Sequence, residues 1–325
     1  MTSIDKYREI IEKAILKLPK EKKPEGLYSP IDYILSLGGK RIRPALCLAG
    51  TALFNEEAVK QCIPTALGLE IFHNFTLLHD DIMDKSPIRR NKPTVHERWN
   101  DNTAILSGDA MLIQAYQFIA QSPISTLQRV LTVFNQTAIE VCEGQQYDMD
   151  FETRSDVTET EYLEMIRLKT GVLLGASLKI GAIIGGATNQ EVEDIYDFGV
   201  TLGVCFQLQD DWLDVFGSQE KFGKPIGGDI LNNKKTFLLI NALNHLEAED
   251  KDKLIDWTKQ KTFSKKEKIE AVKELYEKAN ASASTKELMD EYYKKSMNSL
   301  ERIKGKNPIK NELISFSNLL MQRSR

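Results

Sequence analysis

Long stretches of this chain lack the residues that break helices. Pro225 is the only proline between Pro123 and Pro308. The stretches around it are filled with Ala, Leu, Glu, Lys and Ile, which favour helices, so several long helices are predicted. Two runs, 104–119 and 172–184, are almost wholly apolar, and a helix that is apolar all round is expected inside a bundle of other helices.

The region 245–305 has the opposite pattern. It is densely charged, and its apolar residues return at helical spacing, as at Leu254 and Trp257, which predicts an outer layer of amphipathic helices. Alternating runs of β-branched residues are missing from the sequence, so strands are not expected. Proline and glycine predict breaks at four places: 19–30, 38–39, 86–93 and 217–228. None of these breaks resembles a domain linker, and we predict one all-α domain spanning 1–325.

The composition excludes several classes of protein. A formal net charge of −4 and a pI near 5.8 give no basic footprint for nucleic acid. The N-terminus is charged from Asp5 onward, so no secretory signal is expected. No stretch of the chain is expected to reach the roughly 20 apolar residues that a membrane span needs, so no membrane span is expected. The cysteines are scattered without a CxxC pair, which fits a reducing compartment. We therefore expect a soluble cytoplasmic protein.

Two aspartate-rich motifs, DDIMD at Asp80–Asp84 and DDWLD at Asp210–Asp214, have the same spacing. On a helix Asp80 and Asp84 point the same way one turn apart, with Asp81 about 100° round. Carboxylates this close repel one another unless a cation neutralises them, and Mg²⁺ takes one or two carboxylates together with water and phosphate oxygens. A lone DDxxD often marks a solvated acidic face. Two copies, each preceded by apolar residues, predict facing helices that hold a polyphosphate between metal ions.

Basic residues cluster near both motifs. The clusters are Lys40, Arg41 and Arg43 after the turn Gly38-Gly39, then Arg89 and Arg90, and finally Lys224, Lys234 and Lys235. Each cluster alone resembles a surface patch. Beside paired metal motifs in a chain of net negative charge, the clusters predict two diphosphate sites.

A series of motifs in this order resembles the trans-isoprenyl diphosphate synthase family, also called polyprenyl synthetases. The motifs are GGKRIRP from Gly38, LLHDDIMDKSPIRR from Leu77, GDA from Gly108, GQQYD from Gly144, KTG from Lys169, FQLQDDWLD from Phe206 and GKPIGGDI from Gly223. The resemblance implies a large barrel of antiparallel helices around a deep cavity, usually homodimeric. It also implies an enzyme that condenses isopentenyl diphosphate with allylic diphosphates.

The resemblance further implies roles for individual residues. Asp80, Asp84 and Asp210 would bind about three Mg²⁺ ions on the allylic diphosphate, with Asp81, Asp211 and Asp214 in support. Arg89, Lys169, Lys224 and Lys234 would hold the allylic diphosphate, and Lys40, Arg43, His73 and Arg90 would hold isopentenyl diphosphate. The Thr170 carbonyl and the Gln207 amide would stabilise the allylic cation, and the released pyrophosphate would take the proton.

Helical geometry supports two of these assignments. His73 lies seven residues before Asp80, and Gln207 lies three residues before Asp210, so each shares a helix face with its motif. The histidines His79, His96 and His245 have no such support and are expected to be structural.

Bulky residues before the first motif are expected to limit the length of the product. In the resembled family the relevant positions correspond here to Phe75 and Thr76. An ideal helix puts Phe75 about 160° from the Asp80/Asp84 direction, whereas Phe72 and Thr76 lie nearer to it. An irregular helix, Phe72 as the floor, or a residue from a partner subunit would each resolve this conflict. The mixture of aromatic Phe75 and small Thr76 resembles that of geranylgeranyl diphosphate synthases. The resemblance therefore implies C20 slightly over C15 and nothing beyond about C25.

Three other functions are compatible with part of this pattern. A terpene cyclase shares the first motif, but its second metal motif normally mixes Asn, Ser or Thr with Glu. A metal phosphohydrolase of the HD type would use His73, His79-Asp80 and Asp81, and it would leave the second motif and the GGKRIRP cluster unexplained. A non-catalytic subunit usually lacks one aspartate motif, whereas both are intact here. Two departures from the family remain. The loop GKPIGGDI is one residue longer than the common form, so the resemblance supports the roles of Lys224 and Asp229 less strongly than that of Lys234. The C-terminal MQRSR has no assigned role.

Overall fold

The computed structural model describes residues 2–20, 22–217 and 226–321, and helices dominate these ranges. The first helices are α1 (Ser3–Leu16), α2 (Glu25–Ser36), α3 (Ile42–Phe54), α4 (Val59–Met83), α5 (Val95–Arg98), α6 (Asp101–Ile119) and α7 (Ile124–Thr153). The next are α8 (Glu159–Ile166), α9 (Val172–Gly185), α10 (Asn189–Phe216), α11 (Gly228–Leu231) and α12 (Phe237–His245). The last are α13 (Ala248–Lys259), α14 (Lys265–Lys278), α15 (Ala281–Arg302) and α16 (Asn307–Met321). A π-helical turn, Arg167–Gly171, joins α8 to α9. The predicted all-α class is confirmed.

One short hairpin is an exception to the helical pattern. Strands β1 (Ile88–Arg89) and β2 (Lys92–Pro93) pair antiparallel inside the predicted break after the first aspartate motif. The prediction that strands would be absent is therefore wrong at this point. A pair this short leaves no alternating run in the sequence, because its geometry is set by the turn rather than by its side chains.

Contacts divide the described chain into two compact units. The first unit comprises 1–136, 176–196 and 303–312, and the second comprises 137–175, 197–302 and 313–325. In the first unit, α4 packs along α6 and α3, and α1 packs on α3. In the second unit, α12 packs on α15, and α11 packs on α14. The prediction of one domain stays a prediction.

The two apolar runs differ in burial. Helix α9 is buried along nearly its whole length, as predicted. Helix α6 instead exposes Ile105 to 45%, Leu106 to 59% and Ile113 to 59%, so the prediction of an enclosed helix is wrong there. The reason is that α6 buries mostly small residues, such as Ala104 and Gly108, against its neighbours and directs large aliphatic side chains outward.

The stretch Glu159–Gly185 is long and apolar enough to cross a membrane by length and composition alone. This finding corrects the expectation that no stretch of the chain reaches that length. However, 83% of its most apolar window is buried inside the protein. Such burial is typical of a core helix, whose whole circumference contacts other helices.

The charged region after residue 245 forms α13, α14 and α15 as amphipathic helices, as predicted. Their buried residues Leu254, Leu275 and Met289 are each at most 5% exposed. The predicted break at 19–30 is too long, because α2 begins at Glu25 and contains Pro30. A proline early in a helix removes one backbone hydrogen bond, and the burial of the residues that follow it keeps α2 in place.

Candidate active site

Both aspartate motifs lie at the C-terminal ends of long helices. DDIMD closes α4, with Asp84 as its C-cap residue, and DDWLD occupies the end of α10. The C-terminal end of a helix carries about half a negative charge, which adds to that of the carboxylates. Both places therefore attract cations more strongly than the aspartates alone would.

Asp81 is the buried member of the first motif, with 2% of its surface exposed. Arg89 donates from Nε to both carboxylate oxygens of Asp81 at 2.8 Å, and its Nη2 lies 2.7 Å from Oδ1. The same Nη2 lies 3.5 Å from Oδ2 of Asp80. Burial raises the pKa of Asp81, and Arg89 opposes that rise. This geometry anchors Arg89 beside Asp80 and fits the supporting role predicted for Asp81.

The hairpin β1–β2 brings Arg90 to the glycine turn. Its turn residues Arg90 and Asn91 have φ values of 53° and 61°, as a two-residue type I′ turn requires. Nη1 of Arg90 donates to the carbonyl oxygen of Gly38. Gly39 has a φ of 143°, a backbone conformation that favours glycine because other residues rarely adopt it. The GGKRIRP motif and the loop after DDIMD therefore meet at Arg90.

Arg43 and His73 form the second contact between these motifs. Nη1 of Arg43 lies 3.0 Å from Nε2 of His73, and because arginine only donates, Nε2 accepts and the ring proton is on Nδ1. Burial, reinforced by Arg43 and Arg90, holds the pKa of His73 well below its usual range. Burial also lowers the pKa of Arg43 to about 10. Nε of Arg43 is buried without a hydrogen-bond partner among the described residues, so it remains available to an anionic substrate.

Arg41 is the cation of the GGKRIRP motif that turns inward. It is 3% exposed, and it donates to Glu70 at 2.7 Å, to Glu12 at 2.8 Å and to the Leu35 carbonyl at 2.8 Å. Each of the three guanidinium nitrogens therefore donates to a protein acceptor, which makes Arg41 a structural anchor of the turn. The neighbouring Lys40 is exposed.

The chain-length residues belong to an aromatic cluster on the side of α4 that packs on α6 and α7. Phe72 is 1% exposed and Phe75 is 9% exposed, and their ring centroids are 5.6 Å apart. Phe72 also contacts Phe134 at 5.2 Å, and Phe134 contacts Tyr116 at 5.0 Å. Phe72 and Phe75 therefore form one layer. Thr76 instead turns its hydroxyl to the carbonyl of His73 at 2.8 Å.

His79 supports this aromatic layer. Its Nε2 lies 3.1 Å from the carbonyl oxygen of Ile105, and its ring centroid lies 4.8 Å from that of Phe75. A Cβ on Gly108 would collide with the His79 ring. The glycine of the GDA motif therefore provides the space that this histidine occupies, which fits the structural role predicted for His79.

In the second unit, Asp211 is the buried member of the second motif, at 6% exposed. The hydroxyl of Tyr162 donates to its Oδ2, and Nε2 of Gln207 donates to its Oδ1 at 2.9 Å. Burial raises the pKa of Asp211 to about 6, while Lys234 opposes the rise. Like Asp81, this second carboxylate of its motif is bound by protein donors.

The π-helical turn presents the residues of the KTG motif. Such turns often mark functional sites, because the extra residue redirects side chains. Nζ of Lys169 lies 2.6 Å from Oδ2 of Asp148, and Thr170 donates from its hydroxyl to Oε1 of Gln207 at 3.2 Å. A Cβ on Gly144 would collide with the backbone nitrogen of Lys169. The GQQYD, KTG and FQLQDDWLD motifs are therefore joined by direct contacts.

The last motif is described only in part. Lys224 lies outside the described residues. Asp214 accepts at Oδ2 from the backbone N–H of Asp229 at 2.9 Å, and burial raises the pKa of Asp229 to about 8. Lys234 lies close enough to lower the pKa of both Asp211 and Asp229. The preceding Asn233 accepts at Oδ1 from the buried Lys268 at 2.6 Å.

The carboxylates fit Mg²⁺ ions that arrive with a diphosphate. Among the residues that the structure describes, no three His, Cys, Asp or Glu side chains converge as a complete metal site. Mg²⁺ usually takes only one or two carboxylates and completes its shell with water and substrate phosphates. The one or two carboxylates that each motif can offer to an ion fit this kind of binding.

Sequence reasoning missed some members of these networks. Asp148 belongs to the GQQYD motif, but its ion pair with Lys169, 21 residues further along the chain, is visible only in the structure. Tyr162 carries no signal in the sequence, because its hydrogen-bond partner Asp211 lies 49 residues further along the chain. Phe134 is likewise visible only once α7 is placed beside α4.

Comparison with known proteins agrees with this geometry. Residues 24–278 match the polyprenyl synthetase family. The geranylgeranyl diphosphate synthase of Methanosarcina mazei is 42% identical over 249 residues, which cover 74% of this chain and 76% of that protein. The geranylgeranyl pyrophosphate synthase of Geoglobus acetivorans is 36% identical over 319 residues, or 97% of this chain and 96% of that protein.

A crystal structure of a geranylgeranyl pyrophosphate synthase superimposes with a TM-score of 0.94 at 42% identity, over 100% of both chains. The predicted resemblance and the all-α isoprenoid synthase fold are therefore confirmed. The chain belongs to the polyprenyl synthetase family.

Proposed function

We propose that the protein is a Mg²⁺-dependent prenyltransferase that joins isopentenyl diphosphate head to tail to allylic diphosphates, with the C20 all-trans product favoured over C15. The observation that carries this proposal is the shared design of the two aspartate motifs. In each motif the second aspartate, Asp81 or Asp211, is buried and bound by protein donors. The other aspartates of the motifs lie in the last two turns of α4 and α10, and a helix C-terminus favours a nearby cation. They are Asp80, Asp84, Asp210 and Asp214.

The allylic diphosphate is assigned to the aspartate motifs. Asp80, Asp84 and Asp210 would hold about three Mg²⁺ ions, with Asp214 in support, and the ions would neutralise the charge of the departing pyrophosphate. Arg89 is preset for this task, because its bond to Asp81 fixes the guanidinium beside Asp80. Lys169, Lys224 and Lys234 complete the proposed cationic set.

Isopentenyl diphosphate is assigned to Lys40, Arg43, His73 and Arg90. Arg43 supports this assignment best, because its buried Nε has no hydrogen-bond partner among the described residues and a buried unsatisfied donor is costly without an acceptor. The neutral His73 can donate from Nδ1 to a phosphate oxygen while Nε2 keeps Arg43 in place.

The reaction breaks the allylic carbon–oxygen bond, and pyrophosphate leaves with the bonding electrons. The double bond of isopentenyl diphosphate attacks the allylic cation and forms the new carbon–carbon bond. Loss of a proton to the pyrophosphate then gives the new alkene. The oxygen dipoles of Gln207 and Thr170 lower the energy of the cation without adding to it, which is electrostatic stabilisation of developing charge.

Two further assignments are part of the proposal. The exposed side chains Ile105, Leu106 and Ile113 on α6 form an apolar face that we assign to a homodimer interface, since such a face is rarely left in water. The location is assigned to the cytoplasm, because the scattered cysteines are free and three of them are buried.

The decisive experiment incubates the purified protein with isopentenyl diphosphate and C5, C10 or C15 allylic primers, with and without Mg²⁺. The expected result is release of pyrophosphate and a C20 product, only when Mg²⁺ is present. Release of inorganic phosphate instead would indicate a phosphohydrolase. A cyclic hydrocarbon formed from one primer alone would indicate a terpene cyclase.

A further inference from the structure

We infer that Tyr162 is a positioning residue for the condensation, which acts by fixing the side-chain amide of Gln207 through the carboxylate of Asp211. This inference rests on the proposed role of Gln207 at the allylic cation. Tyr162 lies on α8, a helix that carries none of the family motifs, and nothing in the sequence singles it out.

The first step is the burial of the Tyr162 hydroxyl. The residue is 1% exposed, and its hydroxyl donates to Oδ2 of Asp211. A carboxylate oxygen only accepts hydrogen bonds, so the hydroxyl of Tyr162 is the donor in this contact.

The second step is the orientation of the amide. A glutamine amide has one accepting and one donating end, and the neighbouring groups decide which end points where. Oδ1 of Asp211 accepts from Nε2 of Gln207 at 2.9 Å, and Oε1 of Gln207 accepts from the Thr170 hydroxyl at 3.2 Å. The amide oxygen is therefore on the Thr170 side, and the carboxylate excludes the flipped orientation, because it cannot donate.

The third step concerns the hydrogen bonds that fix the orientation of the Asp211 carboxylate. Asp211 is 6% exposed, and the two hydrogen bonds occupy one oxygen each. Without the Tyr162 hydroxyl, Oδ2 would lose its donor in a buried place, and the carboxylate would turn to find another. The donor to Gln207 and the direction of its oxygen dipole would then no longer be fixed, although both substrates could still bind.

The test is Tyr162→Phe, which removes one oxygen atom. We expect the single-turnover rate of condensation to fall about tenfold, while the KM for each diphosphate changes less than about twofold. A matched control is Tyr7→Phe, because Tyr7 is also buried, at 7% exposed, but lies on α1 away from the aspartate motifs. The control is expected to keep the wild-type rate.

A double-mutant cycle separates positioning from general destabilisation. In a Gln207→Leu background, Tyr162→Phe should slow condensation by less than about twofold, because the group through which Tyr162 acts is gone. If Tyr162→Phe still slowed condensation about tenfold in that background, the inference would be overturned. An unchanged rate in the single variant would overturn it as well. Thermal unfolding confirms that each variant is folded at the assay temperature. If Tyr162→Phe does not fold, Tyr162→Met takes its place in the test. Methionine also lacks the hydroxyl, and its flexible side chain repacks more freely.

The outcome also distinguishes this inference from the proposed function. A wild-type protein that forms no prenyl diphosphate from any primer would refute the proposed function itself. An active wild type with an unaffected Tyr162→Phe variant would refute only the role of Tyr162.

Discussion

Arg43 donates a hydrogen bond of 3.0 Å to Nε2 of His73, which ties the GGKRIRP motif to helix α4. Because a protonated histidine could not accept this bond, the contact requires a neutral ring. It also leaves Nδ1 as the donor of the His73 ring. The same two residues therefore link the stability of this part of the fold to the proposed recognition of isopentenyl diphosphate.

The neutral state of His73 predicts a loss of stability in acid. Its pKa is well below the usual range in the folded protein, whereas the unfolded chain takes up this proton near pH 6.5. Below that pH the unfolded state binds more protons, so the free energy of unfolding falls, by at most about 1.4 kcal/mol per pH unit. His73→Gln keeps an acceptor for Arg43 but does not titrate, so it should lose less stability between pH 6.5 and 5.5.

Urea unfolding at the two pH values measures this difference. His245→Gln on α12 is the matched control for the loss of a histidine. Equal pH dependence in the wild type and His73→Gln would show that His73 becomes protonated in the folded protein.

Arg89→Lys tests the fork between the guanidinium and the first motif. Lysine carries the same charge but lacks the planar group that contacts both oxygens of Asp81 and reaches Asp80. We expect kcat/KM for the allylic diphosphate to fall about 10- to 100-fold, as for the loss of one or two charged hydrogen bonds. Arg129→Lys, at an exposed arginine that donates to Asn189, should remain near wild type. If Arg89→Lys changed kcat/KM only slightly, we would infer that the other proposed cations, Lys169, Lys224 and Lys234, hold this diphosphate.

The sequence identified the local features of the site more reliably than its long-range contacts. Helix ends, the DDxxD spacing and the clustering of Arg89 and Arg90 follow from residues close together in the chain. The inward turn of Arg41 could not be predicted, because it depends on Glu12 and Glu70, each 29 residues away. The exposed face of α6 was missed for a related reason. An apolar run predicts burial but does not say whether another part of the same chain or a second molecule covers it.

Phe75→Ala should lengthen the product. Phe75 is 9% exposed and packs between Phe72 and His79, so removing its ring opens the layer next to the first motif. Phe72→Ala removes a ring that is 1% exposed and packed on Phe134. It should cost about 3–5 kcal/mol of stability through the cavity it leaves. Product sizing and thermal unfolding of both variants check these outcomes. If Phe75→Ala left the product length unchanged, Phe72 would be the residue that limits it. Products of C30 or longer from the wild type would refute the proposal that these aromatic residues limit the product.

Ile113→Glu should convert the proposed homodimer into monomers. Ile113 is 59% exposed on the same face of α6 as Leu106, and a carboxylate buried in an apolar interface loses its hydration without gaining a partner. Light scattering after size-exclusion chromatography gives the mass of each variant. Leu319→Glu is the matched control, since Leu319 is 63% exposed but lies on α16. A wild-type protein of monomer mass would contradict the assignment of this face.

Gly144→Ala, a change in α7, should displace the π-helical turn that packs against this helix. The added methyl group would collide with the backbone nitrogen of Lys169 and lie 2.8 Å from its Cα. Because backbone cannot move aside as a side chain does, α7 and the turn must separate, at a cost of about 1–3 kcal/mol. The shift also moves Lys169 and Thr170, so the rate of condensation should fall together with the melting temperature. Gly26→Ala in α2, where nothing lies within 4 Å of the new Cβ, should leave the rate unchanged and stability equal or higher. If Gly144→Ala lowered stability but left the rate intact, the position of the turn would not limit condensation.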